Sequence, residues 1–111
     1  MIFVIGPLFS GKKAFAMERL GCKEADLAAD VQDMVMADMT EEHLAALAAE
    51  LTKKKVVIAT EIGSGVVPME KEERAKRELA GRLNCLLAAQ AETVVRVFCG
   101  LPMVLKGEWK E

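Results

Sequence analysis

Apolar and polar positions fall into two kinds of block along this chain. Short unbroken apolar runs, over residues 1 to 5 and 56 to 60, have the length and continuity of strands buried on both faces. Elsewhere apolar residues recur at helical spacing. Leu44, Leu47, Ala48 and Leu51 stand at i, i+3, i+4 and i+7, with Thr40 as a plausible N-cap and Glu41 and Glu42 in the first turn. Leu79, Leu83, Leu86 and Leu87 mark one face of a long helix from 69 to about 91. A first helix is predicted from 10 to about 20, with Gly21 as its stop signal. Between these lie a weak strand over 26 to 30, ending in an acid, and a short methionine-rich helix over 31 to 39. A fourth strand over 93 to 98 is closed by Gly100-Leu101-Pro102, then an extended piece over 103 to 106 and a charged tail. Strands separated by helices predict a parallel sheet covered on both faces. Ligands of such sheets bind at the carboxyl ends of the strands, the edge shared by the first turn, Asp30 and Glu61.

Composition narrows the class. A chain of 111 residues with 52% apolar content predicts a single domain, residues 1–111, with a modest core. Fifteen basic and seventeen acidic residues leave a net charge of −2, without the electrostatic footprint of a nucleic-acid binder. The run Lys53-Lys54-Lys55 reads as a helix C-terminal cap. Cys22, Cys85 and Cys99 lack metal-type spacing and read as small buried hydrophobes in a reducing, cytoplasmic setting. The apolar N-terminus lacks a basic leader and is broken by Gly6-Pro7, unlike a signal peptide, and no apolar run approaches the ~20 residues of a membrane span. The high apolar content and the methionines at 34, 36 and 39 predict a homo-oligomer.

The chemistry gathers after the first strand. Gly6-Pro7-Leu8-Phe9-Ser10-Gly11-Lys12 reads G-x-x-x-x-G-K between a strand and a helix, the context of a phosphate-binding P-loop. Backbone N–H groups and the lysine of such a loop cradle phosphate at the helix N-terminus. Gly6, Ser10, Gly11, Lys12 and Lys13 are therefore the candidate nucleotide- and phosphate-binding positions. The pattern asks for Ser or Thr after the lysine, to hold Mg²⁺, and Lys13 stands there instead. The competing reading is a structural strand-to-helix turn that binds nothing.

Three further segments carry a resemblance. Val57-Ile-Ala-Thr-Glu61-Ile-Gly63-Ser-Gly65-Val-Val-Pro68, Ala80-Gly81-Arg82-Leu83-Asn84 and Cys99-Gly100-Leu101-Pro102 resemble the adenosylcobinamide kinase / adenosylcobinamide-phosphate guanylyltransferase family of cobalamin biosynthesis. That family has an N-E-V-G-x-G-I-V-P loop, a G-R-x-N helix motif, a terminal G-[IL]-P turn and an opening G-G-x-R-S-G-K-S. The resemblance covers roughly residues 1 to 20 and 25 to 106, and the loop over 61 to 68 is its most specific part. In the family's V-D-C-L-T segment only Asp30 is matched. The chain departs from the pattern at Pro7, Phe9 and Lys13, which replace a glycine, an arginine and the metal-linked hydroxyl. It also lacks the segment, between the first helix and the strand before Asp30, in which the family carries a guanylylated histidine among arginines. His43, the single histidine, reads as a surface helix residue.

The resemblance implies a three-layer α/β domain of P-loop (RecA-like) type with a small, mostly parallel sheet. It implies ATP or GTP as ligand or substrate, and phosphorylation of an alcohol on a corrinoid side chain as the reaction class. Lys12 would then bridge the transferred phosphoryl, Asp30 would organise Mg²⁺ through water, and Glu61 would orient the acceptor or its surroundings. Each acid has a second reading: Asp30 as a helix N-cap, Glu61 as an anchor for backbone N–H groups around Gly63 and Gly65. Arg82 and Asn84 read as structural, pinning the long helix or a subunit contact. The alternative for the whole chain is a non-catalytic regulatory or oligomer-forming subunit that keeps the fold without nucleotide chemistry.

Overall fold

The computed structural model describes residues 1–61 and 70–109. Five strands form one sheet in the order β2-β3-β1-β4-β5. The most continuous apolar runs take the interior. β1 (Ile2–Gly6) lies between β3 (Val56–Thr60) and β4 (Thr93–Phe98) and runs parallel to both. β2 (Leu27–Ala28) adds in parallel to the far side of β3, and β5 (Leu101–Lys106) pairs antiparallel with β4. β3 thus separates the strand that leads into the phosphate loop from the strand that leads to Asp30. Their carboxyl ends flank a gap, the position at which open α/β sheets take ligands.

Alternation along the strands builds two cores. Phe3, Val57, Ala59 and Val94 face one side, where α2 (Glu41–Leu51) and α3 (Lys71–Gln90) cover them with Leu44, Ala48, Leu83 and Leu87. Val4, Val56, Ile58, Val95 and Val97 face the other, beneath Phe15 and Ala16. Those two belong to the first helix, α1 (Lys12–Ala14), which continues as a π-helical turn over Phe15–Arg19. Trp109 returns to this side and meets Phe15 edge-on, ring centroids 5.0 Å apart, with the Arg19 guanidinium above both rings. The result is the expected three-layer α/β fold with a mostly parallel sheet.

Several local expectations change. The first helix starts at Lys12 rather than Ser10 and leaves α geometry after three residues, because Leu20 N–H reaches back to Phe15 C=O. Gly21 ends it at φ 66°, as a stop glycine should. The strand before Asp30 is two residues long, and the methionine-rich stretch is a 3-10 turn over Val31–Met34 followed by loop, not a helix to Met39. The extended piece before the tail is a full sheet strand. Only Cys22 is buried; Cys85 and Cys99 are exposed. The three lysines lie beyond the last turn of α2. Lys53 pairs with Glu50 (3.0 Å), Lys54 donates to Ala25 C=O (3.1 Å) and Lys55 faces Asp26 (3.9 Å), so two of them hold the entry to β2 instead of capping a helix. The glycine-rich loop beyond Glu61, the predicted helix start at Met69 and the last two residues lie outside the described residues. Among the described residues no helix is long and apolar enough to cross a membrane.

A candidate phosphate site at the carboxyl edge of the sheet

The loop from Gly6 to Lys12 is shaped by close backbone approaches. A Cβ on Gly6 would stand 2.2 Å from Val97 C=O and 2.8 Å from Ser10 Oγ, so only glycine fits beside β4 there. Gly11 holds φ 88°, a left-handed conformation that admits glycine without strain. Phe9 holds φ 60° without that freedom, a strain of about 1–3 kcal/mol, with its ring 95% exposed at the loop tip. The turn between β4 and β5 braces the loop, since Gly100 N–H donates to Ser10 C=O at 2.8 Å. That contact gives the Gly100-Leu101-Pro102 motif a place in the site.

Lys12 is the centre of the arrangement. It is buried at 7% exposure, and its ammonium donates to Pro7 C=O at 2.6 Å, with Ser10 Oγ at 3.5 Å. Burial lowers its pKa below the ordinary lysine value, while the charges of Asp30 and Glu61 oppose that shift. Lys13 turns away: its ammonium lies 3.5 Å from Glu24 with both side chains more than half exposed, so it stands at the rim. A cavity of about 320 Å³ opens between the loop and Ala29, Asp30, Ile58 and Thr60. Asp30 itself has φ 54° and stands at the head of the 3-10 turn, but its side chain makes no capping bond. The hydroxyl of Thr60 is buried and without a hydrogen-bond partner among the described residues, while the Thr60 N–H donates to Gln32 Oε1 at 3.0 Å.

Glu61 stands at the end of β3, its N–H donating to Gly6 C=O at 2.8 Å. Arg96 on β4 grips its carboxylate with a two-pronged bond, Nε to Oε1 and Nη2 to Oε2, the latter 3.1 Å. The bond raises the Arg96 pKa, and the guanidinium lies 5.4 Å above the Phe98 ring. Arg96 was not among the residues singled out from the sequence. The signal was there: a lone arginine inside the apolar run Thr93-Val-Val-Arg96-Val-Phe98 needs a partner when the strand is buried. Glu61 anchoring to Gly63 and Gly65 falls outside the described residues.

The other expected positions are spread elsewhere. Arg82 pairs with Glu41 and with Glu78 (3.2 Å), fastening α3 to the start of α2. Asn84 is buried within α3, its Oδ1 unpartnered among the described residues. His43 is exposed and closes a capping box: its N–H donates to Thr40 Oγ1 and its Nδ1 accepts from Thr40 N–H, both at 3.2 Å. A depression of about 640 Å³ between Met36 and the start of α3 is larger, but its one lysine is offset by Asp38 and Glu72.

The donor set does not fit a protein-held Mg²⁺. Among the described residues Asp30 is the one carboxylate lining the cavity beside the loop, Lys13 replaces the usual hydroxyl, and no group of three metal-binding side chains is found.

Comparison with known proteins gives the family of the chain. The cobinamide kinase / cobinamide phosphate guanyltransferase profile matches residues 23–105, which takes in Asp30, Glu61, Arg96 and the Gly100 turn and begins after the phosphate loop. Among similar proteins is the bifunctional adenosylcobalamin biosynthesis protein CobP of Pseudomonas aeruginosa, 37% identical over 71 residues, 64% of this chain and 41% of that protein. The bifunctional adenosylcobalamin biosynthesis protein CobU of Escherichia coli is 36% identical over 78 residues, 69% of this chain and 43% of that protein. Its Salmonella typhimurium counterpart is 40% identical over 53 residues, 48% of this chain and 29% of that protein. The matched stretch spans less than half the length of each of these relatives. With three quarters of its residues matched by the profile, the chain belongs to the cobinamide kinase / cobinamide phosphate guanyltransferase family.

Proposed function

We propose that this chain binds a nucleotide through a degenerate phosphate loop and serves the kinase side of its family's chemistry rather than guanylyl transfer. One observation carries the reading. The Lys12 ammonium, the loop backbone and Asp30 converge on a single cavity at the carboxyl edge of the sheet. Lys12 is the phosphate ligand, since a buried ammonium among loop carbonyls gains most from an anion. Asp30 faces it across the cavity, and Arg96 holds Glu61 in one orientation, ready to position an acceptor hydroxyl. ATP or GTP is the donor and the alcohol of a corrinoid side chain the acceptor. His43, whose imidazole nitrogen serves a helix cap, has no part in the chemistry.

A second reading is a non-catalytic subunit. The observation that favours it is the loop itself: Pro7 lacks an N–H, and its carbonyl already holds the ammonium meant for phosphate.

Calorimetric titration with ATP and GTP, with and without Mg²⁺, separates the two. In the nucleotide-binding reading Lys12→Ala weakens binding by about 1.5–3 kcal/mol with or without metal, the worth of one charge-assisted contact. Lys13→Ser restores a hydroxyl and makes binding more dependent on Mg²⁺. Wild type that binds no nucleotide, and that Lys13→Ser does not change, hands the site to the second reading.

A further inference from the structure

Among the described residues, two buried side-chain atoms lack a hydrogen-bond partner, Thr60 Oγ1 and Asn84 Oδ1. Asn84 belongs to α3, but Thr60 lines the cavity beside the phosphate loop. A hydroxyl shut away from water without a partner is costly, and native structures leave few of them. Packing does not ask for it. Valine has nearly the same shape, and β3 takes valine at two of its other positions. The place of Thr60 in the sheet gives the hydroxyl a use. Thr60 is the register partner of Gly6, and alternation puts it on the face of Ile58, beneath the first helix. Ser10 Oγ occupies the space beside Gly6, 2.8 Å from where a Cβ would stand, and lies 3.5 Å from the Lys12 ammonium. Thr60, Ser10 and Lys12 therefore gather over one pair of residues, where β1 gives way to the loop. The Thr60 N–H is already given to Gln32 Oε1 at 3.0 Å, so the hydroxyl is the residue's uncommitted donor.

We propose that the Thr60 hydroxyl is a phosphate ligand, donating to a phosphoryl oxygen of the bound nucleotide from the β3 side of the cavity. The inference rests on the nucleotide-binding reading above and adds a ligand to it. The loop is short of donors. Pro7 has no N–H, position 13 has no hydroxyl, and the Lys13 ammonium is turned to Glu24. A hydroxyl on β3 makes up one donor without adding charge beside Asp30. Its ligand is an anion's oxygen and not a metal ion, because the cavity pairs it with a buried ammonium and a single carboxylate. As a residue Thr60 is half-buried while its hydroxyl is covered, so a ligand meets the hydroxyl where it stands or after one staggered step about the Cα–Cβ bond. Thr60 stands where the family's loop pattern opens with asparagine, so this hydroxyl is one of the chain's own departures, as Lys13 is.

Calorimetric titration with ATP and GTP, each in Mg²⁺ and in EDTA, tests it on wild type, Thr60→Val, Thr60→Ser and Lys12→Ala. Thr60→Val keeps the shape and removes the hydroxyl. It is expected to bind nucleotide about tenfold more weakly, with or without metal, the worth of one hydrogen bond to a charged group. It is also expected to melt no lower than wild type, because an unpartnered buried hydroxyl has gone. Thr60→Ser keeps the hydroxyl and binds as wild type does. A cooperative melt establishes that each variant is folded, and Thr60→Ala takes the place of Thr60→Val if valine prevents folding. Unchanged binding in the folded hydroxyl-less variant, with Lys12→Ala still weakened, overturns this inference and leaves nucleotide binding standing. A loss seen only in Mg²⁺ makes the hydroxyl a metal ligand and overturns it. So does a loss confined to one of two nucleotides that both bind, which puts the hydroxyl on the base, or a loss that Thr60→Ser shares, which makes it a matter of shape. Wild type that binds neither nucleotide overturns the inference and its parent reading together.

Discussion

At the scale of single residues, the site rests on charges held where water would normally help them. Folding takes the Lys12 ammonium out of solvent, so the folded chain binds that proton less tightly than the unfolded chain. Between the lowered folded pKa and the ordinary lysine value the unfolded state carries more protons, and the folded state gains stability as pH rises through that window. We expect wild type to gain on Lys12→Met as pH rises from neutral into that window, measured by thermal melting of both proteins side by side. A stability difference independent of pH would show that the ammonium is not desolvated. Glu61 and Arg96 form the second charged unit, and each side chain leaves the other uncompensated when removed. Under the proposed function Glu61→Gln and Arg96→Ala should each slow phosphoryl transfer to the acceptor alcohol, and the double variant should lose no more than the worse single one. Additive losses would mean that the two act separately.

At the scale of elements, local chemistry and tertiary demand divide the work. α2 is locally specified: Thr40 and His43 satisfy each other's backbone N–H groups, and Leu44, Ala48 and Leu51 supply the buried stripe. Thr40→Ala should cost about 1 kcal/mol. In a domain of this size that lowers the melting temperature by about 4–8 °C. A change within a degree would mean that packing on α3 alone holds the helix end. The first helix is the opposite case. Its sequence favours an α-helix, yet the turn under Phe15 widens to π geometry where Phe15 and Ala16 pack onto the sheet. The straight α segment is three residues long, so under the proposed function a helix dipole is a minor source of anion attraction, and Lys12 with the loop N–H groups supplies it.

At the scale of the whole molecule, the chain matches less than half the length of each of the three relatives. If the kinase-side reading holds, incubation with GTP should leave the intact mass unchanged. A stable gain of one GMP that disappears in His43→Ala would overturn it. The apolar runs at β1, β3 and β4 and the helical spacing of α2 and α3 were legible in the sequence, because burial on a sheet or under a helix imposes a period that composition must follow. Gly6 and Gly11 stood out by their G-x-x-x-x-G-K spacing, and the structure gives each a backbone reason: Gly6 lies against Val97 C=O and Gly11 holds φ 88°. Tertiary structure alone decided the rest. The strand expected over 26 to 30 keeps only the two residues that β3 pairs, and the extended piece expected over 103 to 106 becomes the longer strand β5 because β4 lies beside it. Lys13 and Lys12 are neighbours in sequence, yet one pairs with Glu24 at the rim while the other lies buried in the loop. Arg96 found Glu61 across 35 residues of chain. Pairing of charges and edges depends on which segments meet in space, and a one-dimensional pattern carries the need for a partner but not its address.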